Sequence, residues 1–374
     1  MMRVLWLTEH YPPSRGGMAE SCDRIVRGLR AAGVVIDVAH LTRRARPWQV
    51  TREHGGRLLT VPLEDNPEHA LRRLWTTLSA EPARDRAYSH VVAFGGTYAM
   101  AAAPILSAWL AAPLVTLLRG NDFDTGVFSL RRRGALMDAL RASARVCVVA
   151  RSHAPLVSAL VPDARVSWVA NGIDTRDWRI LPSEREKARI WRESHVEPGR
   201  RTLGLIGQLK NKKGVGFLLD ALHASGRAGE FHLVLVGELE EVVAERLDAG
   251  QVACSRLPFL DRYELLAVYA ACDLVALPSF YDGLPNVALE AAALDVPLLA
   301  SDAGGLADLV DDEIGFTFRA GDPHACRAAV DRAADAAVEP LAKLGAAAGE
   351  RVRRDFTPAR ETAEYLAVLR DLAE

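Results

Sequence analysis

The sequence predicts an α/β protein with two domains, each built on a largely parallel, doubly wound sheet. Short apolar segments typical of buried strands alternate with helical segments along the whole chain. This alternation stops at a polar, charged stretch around residues 178–200 and then restarts. The 374 residues also suffice for two domains of ordinary size.

The first domain, predicted over residues 1–178, opens with a strand at Arg3–Leu7. An amphipathic helix follows at Ala19–Ala32 and stops at Gly33, because glycine readily adopts the left-handed conformation that ends many helices. Apolar runs predict the remaining strands of this domain at Val34–His40, His90–Phe94, Leu114–Leu118, Arg145–Val149 and Arg165–Val169.

The second domain, predicted over residues 179–356, repeats the pattern after a linker placed at 178–200. Its strands are predicted at Thr202–Ile206, Leu233–Val236, Leu274–Leu277, Leu298–Ala300 and Phe316–Phe318. The chain ends in a segment with the apolar spacing of an amphipathic helix, Pro358–Leu372, within the terminal stretch 357–374.

Composition narrows the functional class. The formal net charge of −2 gives no basic bias that would favour nucleic acid as a partner. The five cysteines are scattered without a CxxC pair, which is typical of small buried residues in a reducing compartment. No apolar run predicts a signal peptide or a membrane-spanning helix. We therefore expect a cytoplasmic protein. The basic run Arg131-Arg132-Arg133 indicates either a solvated surface or contact with an acidic lipid face.

The most informative motif lies where the predicted strand at 274–277 turns into a helix. Asp282 and Glu290 bracket this turn, and Gly283 and Pro285 supply turn residues between them. Open α/β sheets bind ligands at the carboxyl ends of their strands, so both carboxylates are candidates for a binding site.

Two further loops have the sequence of phosphate-binding turns. Gly16 and Gly17 follow the first strand and precede the first helix, where the backbone can approach a phosphate closely. The loop from Gly207 to Gly214 stands in the same relation to the strand at 202–206 and contains Gln208 and Lys213. A lysine in such a loop is a common phosphate ligand.

These motifs together resemble those of the retaining glycosyltransferases of family 4. The resemblance implies the GT-B fold, in which two Rossmann-like, doubly wound domains face each other across a cleft and a C-terminal helix crosses back to the N-terminal domain. It also implies that Glu290 holds the ribose hydroxyls of a nucleotide-sugar, and that Asp282 lies by the transferred sugar and diphosphate. Asp282 replaces the usual glutamate of the family, and Gln208 replaces the usual arginine.

The same resemblance distributes roles along the chain. It makes residues 1–178 the acceptor side and 179–356 the donor side. The expected catalytic residues are Asp282, Lys213, Arg119 and His10. The expected donor-binding residues are Gly16, Gly17, Gly207, Gln208, Lys213, Asp282, Gly283, Leu284, Pro285 and Glu290. The acceptor-side candidates are Gly95, Gly96, Thr97, Asn121 and Asp122. Arg119 stands where many relatives have a histidine.

The implied reaction is transfer of a sugar from a nucleoside diphosphate sugar, UDP- or GDP-linked, to an acceptor hydroxyl with retention of configuration. No cofactor and no metal are expected, and the acceptor is a small molecule, a lipid-linked molecule or a glycan. Peripheral contact with the inner membrane face and the oligomeric state are left open. The departures at Gln208 and Asp282 also leave open a catalytically decayed nucleotide-binding scaffold, or a GT-B epimerase or phosphorylase.

Overall fold

The computed structural model describes residues 2–44, 46–64, 66–249 and 252–373. It divides into two compact units, Met1–Asn171 with Pro358–Glu374, and Gly172–Thr357. The division therefore falls after Asn171, earlier in the chain than the predicted boundary at residue 178.

The N-terminal unit is built on an eight-stranded sheet. Its strands are β1 (Arg3–Thr8), β2 (Val35–Thr42), β3 (Gln49–Glu53), β4 (Gly56–Pro62), β5 (His90–Phe94), β6 (Leu114–Leu118), β7 (Ser143–Val148) and β8 (Val166–Trp168). They are ordered β3-β4-β2-β1-β5-β6-β7-β8, and all pairs are parallel except β3 with β4. The chain thus fills one side of β1 first and then the other.

Helices connect these strands and cover the sheet. In chain order they are α1 (Gly17–Ala31), α2 (Pro67–Ser79), α3 (Thr97–Leu110), α4 (Asn121–Asp124), α5 (Arg133–Ala142) and α6 (His153–Leu160). The predicted first helix is confirmed, with Gly16 rather than a polar side chain at its N-cap.

The C-terminal unit has a six-stranded sheet that is parallel throughout. Its strands are β9 (Arg201–Ile206), β10 (Phe231–Val236), β11 (Cys254–Leu257), β12 (Leu274–Leu277), β13 (Leu298–Ser301) and β14 (Gly315–Phe318). The order β11-β10-β9-β12-β13-β14 is that of a Rossmann sheet. Its helices are α7 (Pro182–His195), α8 (Val215–Ala224), α9 (Glu241–Ala249), α10 (Arg262–Ala271), α11 (Asn286–Ala293), α12 (Leu306–Leu309), α13 (Pro323–Asp335) and α14 (Val338–Asp355).

The prediction of a linker at residues 178–200 was wrong, because most of these residues form helix α7. Pro182 occupies the first turn, and the Glu184 carboxylate accepts a hydrogen bond from the Leu181 amide at 3.2 Å. Arg192 anchors the helix to the sheet through an ion pair with Asp273 at 3.0 Å. Only Ala188 of this helix is fully buried, so the apolar stripe that usually reveals a helix is missing.

The last helix, α15 (Pro358–Asp371), belongs to the N-terminal unit. Its residues Tyr365, Val368 and Leu369 join the core formed by β1, β2 and α1. Glu361, which is 2% exposed, accepts two hydrogen bonds from Arg24 on α1, at 2.7 and 3.0 Å. The return of the terminal helix to the N-terminal domain is therefore confirmed.

Three further features of the described residues concern the cysteines, metal binding and membrane insertion. The five cysteines are free thiols. In the described ranges, no cluster of three or more histidine, cysteine, aspartate or glutamate side chains has an arrangement that could hold a metal ion. No helix in this part of the chain combines the length and apolar character needed to cross a bilayer.

We predict that Asp37→Asn lowers the free energy of unfolding at neutral pH by about 3–5 kcal/mol, because it breaks a buried ion-paired network. Asp37 on β2 accepts hydrogen bonds from Arg3 (2.7 Å), Arg57 (2.8 Å) and Tyr88 (2.8 Å). Burial alone would raise the pKa of the Asp37 carboxyl, but these hydrogen bonds outweigh it and lower the pKa.

Because the folded pKa of Asp37 lies below its unfolded value of about 3.9, its contribution is complete at neutral pH and is lost as the pH falls through the folded pKa. In urea titrations between pH 3 and 7, the difference in unfolding free energy between wild type and Asp37→Asn should therefore narrow as the pH falls below about 4. The exposed Asp138→Asn is the matched control and should change little. A constant difference between wild type and Asp37→Asn at every pH would contradict the assignment.

Candidate functional site

A crevice opens in the C-terminal sheet between β9 and β12. The chain builds one side of β9 first and then crosses to β12 on the other side, which makes this the topological switch point where open α/β sheets bind ligands. The two strands pair only at Leu203 with Leu274 and Gly204 with Val275, and they separate toward their carboxyl ends. A pocket lies there, lined by Ile206, Leu209, Lys213, Leu277, Ser279 and Val287 among others.

The loop between β9 and α8 borders this pocket. Gly214 has a φ of 68°, and a Cβ atom there would lie 1.9 Å from the carbonyl oxygen of Pro278. The Phe280 amide donates to the Lys212 carbonyl at 3.0 Å. These contacts fix the Lys213 loop against the end of β12, so Lys213 reaches the pocket from a constrained backbone.

The loop after β12 carries Asp282. Its carboxylate forms an ion pair with the Lys213 ammonium, and it also accepts a hydrogen bond from the Gly283 amide at 3.1 Å. The structure therefore brings together two of the residues that the sequence predicted to be catalytic. The two opposite charges of this pair lie beside the pocket.

Gly304 supports the Asp282 loop from below. Its φ is 55°, and a Cβ atom there would lie 1.7 Å from the Asp282 carbonyl oxygen. The next residue, Gly305, donates from its amide to the Gly283 carbonyl at 2.8 Å. The Gly304-Gly305 turn thus fixes the position of the loop that carries Asp282.

We predict that Gly304→Ala destabilises the protein by at least about 2 kcal/mol and weakens ligand binding, because it combines left-handed strain with a backbone clash. Gly226→Ala is the matched control, since Gly226 has a φ of 70° but nothing within 4 Å of its Cβ position. Chemical denaturation should show a loss of about 1 kcal/mol for this control. Equal losses in the two variants would mean that the contact with the Asp282 loop has no effect of its own.

Glu290 lies on α11, which begins at Asn286. It is 7% exposed, and its Oε2 accepts a hydrogen bond from the Tyr269 hydroxyl at 2.6 Å. Tyr269 is fully buried and packs edge-on against Trp178. Val287, one turn before Glu290 on the same helical face, lines the pocket. Glu290 is therefore a held carboxylate beside the crevice.

The other donor-side residues lie in the same two loops. Gly207 follows β9 with a φ of 112°, and the side chain of Gln208 is exposed to solvent. Pro285 lines the pocket, and Leu284 is buried beneath it. The geometry thus places every predicted donor-side residue of the C-terminal unit at the carboxyl edge of its sheet.

The N-terminal unit has its own switch point, between β1 and β5. Gly16 caps α1 with a φ of 105°, and Gly17 begins that helix. His10 lies in the preceding loop, where its amide donates to Thr8 Oγ1 at 2.9 Å. Burial lowers the pKa of His10, so its imidazole is neutral at pH 7.

Arg119 is directed to the terminal helix. Its guanidinium donates to the Tyr365 hydroxyl at 2.9 Å and to the Asn171 side chain, and it lies over the ring of Phe94. Arg119 is 8% exposed. These contacts give it a clear structural task, which is to connect β6 with α15.

The acceptor-side candidates lie at the ends of β5 and β6. Gly95, Gly96 and Thr97 form the entry to α3. Asp122 accepts hydrogen bonds from the Arg119 and Phe123 amides, at 2.9 and 3.1 Å, while burial raises the pKa of its carboxyl. Asn121 begins the short helix α4 and is exposed.

Three residues of these sites were not predicted from the sequence. Glu9 accepts a hydrogen bond from the Tyr98 amide at 2.6 Å and thereby caps α3. Tyr269 holds Glu290, and the Ser279 hydroxyl lines the pocket, fully buried and without a hydrogen-bond partner in the described structure. Only Glu9 had a signal in the sequence, since it directly follows a strand. The contact between Tyr269 and Glu290 and the burial of the Ser279 hydroxyl depend on tertiary packing.

Two family profiles match the chain, one in each half. The profile described as glycosyl transferase 4-like domain matches residues 16–172, and the profile described as glycosyl transferases group 1 matches residues 200–336. Together they span most of the chain.

Curated relatives are similar over part of their length. The lipopolysaccharide core biosynthesis mannosyltransferase LpsB of Rhizobium meliloti is 28% identical over 54% of this chain and 60% of its own. A glycogen synthase of Mycobacterium tuberculosis is 32% identical over 55% of this chain and 50% of its own. The chain thus spans about half the length of the curated relatives it matches.

Solved structures are similar over the whole chain. Sucrose-phosphate synthase from Thermosynechococcus elongatus has a TM-score of 0.78 at 17% identity, covering 100% of this chain and 99% of its own. HepE from Anabaena, solved in complex with UDP-glucose, has a TM-score of 0.77 at 18% identity, covering 99% and 100%. With both halves matched by the family profiles and the whole chain by this fold, the chain belongs to the group 1 glycosyltransferases, which have the GT-B fold.

Proposed function

We propose that the protein is a retaining glycosyltransferase that moves a sugar from a nucleoside diphosphate sugar to an acceptor hydroxyl. The observation that carries the proposal is the pocket at the β9/β12 switch point, with Lys213 in its wall and Glu290 on the adjoining helix. A phosphate-binding loop and a ribose-binding carboxylate at one sheet edge are what a nucleotide requires.

In this proposal the C-terminal unit holds the donor. Glu290, oriented by Tyr269, accepts hydrogen bonds from the two ribose hydroxyls, since a carboxylate accepts from both. The Ser279 hydroxyl offers a further hydrogen bond inside the pocket. Gly207 and Gln208, in the loop after β9, border the diphosphate.

Lys213 supplies the positive charge at the reacting end. As the bond between the sugar and the diphosphate breaks, negative charge grows on the leaving oxygen, and a fixed ammonium stabilises it. The carboxylate of Asp282, which forms an ion pair with that ammonium, accepts hydrogen bonds from hydroxyl groups of the transferred sugar. The departing phosphate takes the proton of the acceptor hydroxyl on the same face, which retains configuration. A lysine in this role makes a metal ion unnecessary.

The acceptor is proposed to bind to the N-terminal unit, near His10 and the Gly95–Thr97 turn. The relatives named above include a mannosyltransferase and a glycogen synthase, and the solved neighbours include one bound to UDP-glucose and one bound to ADP. We propose UDP- or GDP-sugars as donors and a glycan or a small hydroxylated molecule as acceptor. Action in the cytoplasm, with peripheral contact at the inner membrane face, is part of the same proposal.

The test is a calorimetric panel of UDP, GDP, ADP and TDP and their sugars, with and without magnesium. We expect selective binding of one diphosphate, both with and without magnesium. We then expect transfer of the sugar to an acceptor, and NMR of the product should show that the anomeric configuration is retained. Binding to none by folded protein would overturn the proposal. Binding without transfer to any acceptor would favour the decayed scaffold, and inversion would refute the same-face mechanism.

A further inference from the structure

A group of arginines lies at the carboxyl edge of the N-terminal sheet. Arg43, Arg44 and Arg46 follow β2 directly, so they share this edge with the loops after β1 and β5. All three are exposed. The edge is the ligand-binding edge of a parallel α/β sheet, and β2 is next to β1 at the switch point.

Two of these guanidinium groups are held in place by neutral partners. Arg43 donates to the Tyr98 hydroxyl at 2.8 Å and lies over the Tyr98 ring. Arg44 donates to the Pro13 carbonyl at 3.2 Å. In the described parts of the chain, neither arginine has a carboxylate within ion-pair distance, unlike Arg3, Arg24 and Arg57 of the same unit. Their positive charge is therefore positioned but not neutralised by an ion pair.

Glu9 is an acidic residue close enough to feel the charge of Arg43, but its carboxylate already accepts a hydrogen bond at the start of α3. Glu9 accepts from the Tyr98 amide at 2.6 Å, and a Cβ atom on Gly96 would lie 2.5 Å from its carboxylate. Burial raises the pKa of Glu9, while the α3 amides and the charge of Arg43 act against that rise. Since Glu9 occupies the start of α3, that helix has no open end for an incoming anion. Arg43 and Arg44 therefore remain available to an incoming anion at this edge.

We propose that Arg43 and Arg44 bind an anionic substituent of the acceptor, a phosphate monoester or a carboxylate. A guanidinium presents parallel N–H donors that match both groups, and those not used on Tyr98 and Pro13 remain available for them. The hydrogen-bond partners of the two arginines come from different elements, Tyr98 from the start of α3 and Pro13 from the loop before α1. They hold the side chains of Arg43 and Arg44 near the turns that follow β1 and β5. The inference rests on the proposed glycosyl transfer and specifies its acceptor class.

The test measures binding of four soluble probes: inorganic phosphate, glucose 6-phosphate, glucuronate and glucose. Wild type should bind the phosphates or the uronate and should not bind glucose measurably. The double variant Arg43→Ala/Arg44→Ala should lose about tenfold or more of the anion affinity. The double variant Arg72→Ala/Arg84→Ala removes the same charge from exposed positions outside this edge and should bind like wild type.

A vesicle arm separates soluble from lipid-borne phosphate. Sedimentation with phosphatidic acid vesicles, lost in the Arg43/Arg44 variant only, would assign the phosphate to a lipid acceptor; binding of the soluble probes alone assigns it to a soluble one. Equal probe affinity in wild type and the Arg43/Arg44 variant, or no anion binding by wild type, would overturn the inference. Nucleoside diphosphate affinity is measured in parallel, and its absence would refute the proposed transfer independently.

Discussion

Replacing Glu290 by alanine is expected to weaken nucleoside diphosphate binding by about 100-fold, with the fold intact. A carboxylate that accepts from two ribose hydroxyls contributes two charge-assisted hydrogen bonds, and losing such contacts costs on the order of 3 kcal/mol. The Tyr269 hydroxyl orients the Glu290 carboxylate through a hydrogen bond of 2.6 Å, so little ordering of that side chain is required on binding. Isothermal titration with the preferred diphosphate measures the loss.

The controls for Glu290 use its fixed partner. Glu290→Ala leaves the buried Tyr269 hydroxyl without this acceptor, so a fall in melting temperature must be separated from the loss of affinity. Glu290→Gln retains a carbonyl oxygen for Tyr269 and should preserve stability while still weakening binding. Tyr269→Phe keeps the carboxylate but frees its orientation, and should cost less affinity than either Glu290 variant.

A 2′-deoxynucleoside diphosphate makes the assignment specific. If Glu290 contacts the ribose, the deoxy ligand should bind wild type more weakly, and Glu290→Ala should lose most of the discrimination between the two ligands. Undiminished discrimination in the variant, or wild-type affinity for the ribonucleotide, would remove Glu290 from the ribose site and leave the donor assignment without its main support.

Buried parallel strands were predictable because each is a short apolar run with no polar face to confuse the period. The strands at His90–Phe94, Leu114–Leu118 and Leu274–Leu277 were predicted with the same bounds that the structure gives. Three strands were missed: Gln49–Glu53, Gly56–Pro62 and Cys254–Leu257. The first is mostly exposed and polar, the second is fully buried only over its last four residues, and the third has no fully buried residue. A run of residues buried along its whole length was therefore the clearest strand signal in the sequence.

The site was predictable where backbone geometry imposes a residue type. Gly214 and Gly304 are required because each faces a carbonyl oxygen at a distance that no side chain tolerates. Asp295 adopts the left-handed conformation with a φ of 59°, which aspartate tolerates better than most residues. Side-chain direction was not predictable in the same way. Arg119 looked like a ligand-binding cation, and its partners Tyr365 and Asn171 lie far from it in sequence.

Replacing Lys213 by alanine is expected to lower turnover by several tens-fold or more, consistent with losing one charge-assisted contact worth about 2–3 kcal/mol in the transition state. The effect should fall on kcat more than on KM, because charge on the leaving diphosphate grows during bond breaking and the ammonium matters most then. Steady-state kinetics with the identified donor measure both constants. Lys210→Ala is the matched control, since it removes one exposed lysine from the same loop.

The ion pair with Asp282 complicates a single substitution, because Lys213→Ala also leaves that carboxylate unpaired beside the diphosphate. The double variant Lys213→Ala/Asp282→Asn removes both charges, and comparing it with Asp282→Asn alone separates the two effects. If repulsion by Asp282 causes the loss, the double variant should turn over about as fast as Asp282→Asn. If the lysine itself stabilises the leaving group, the double variant should be slower than Asp282→Asn by about the factor that Lys213→Ala costs the wild type. Wild-type turnover in Lys213→Ala would reject its role, since the loop would then hold Lys213 beside the pocket only to balance Asp282.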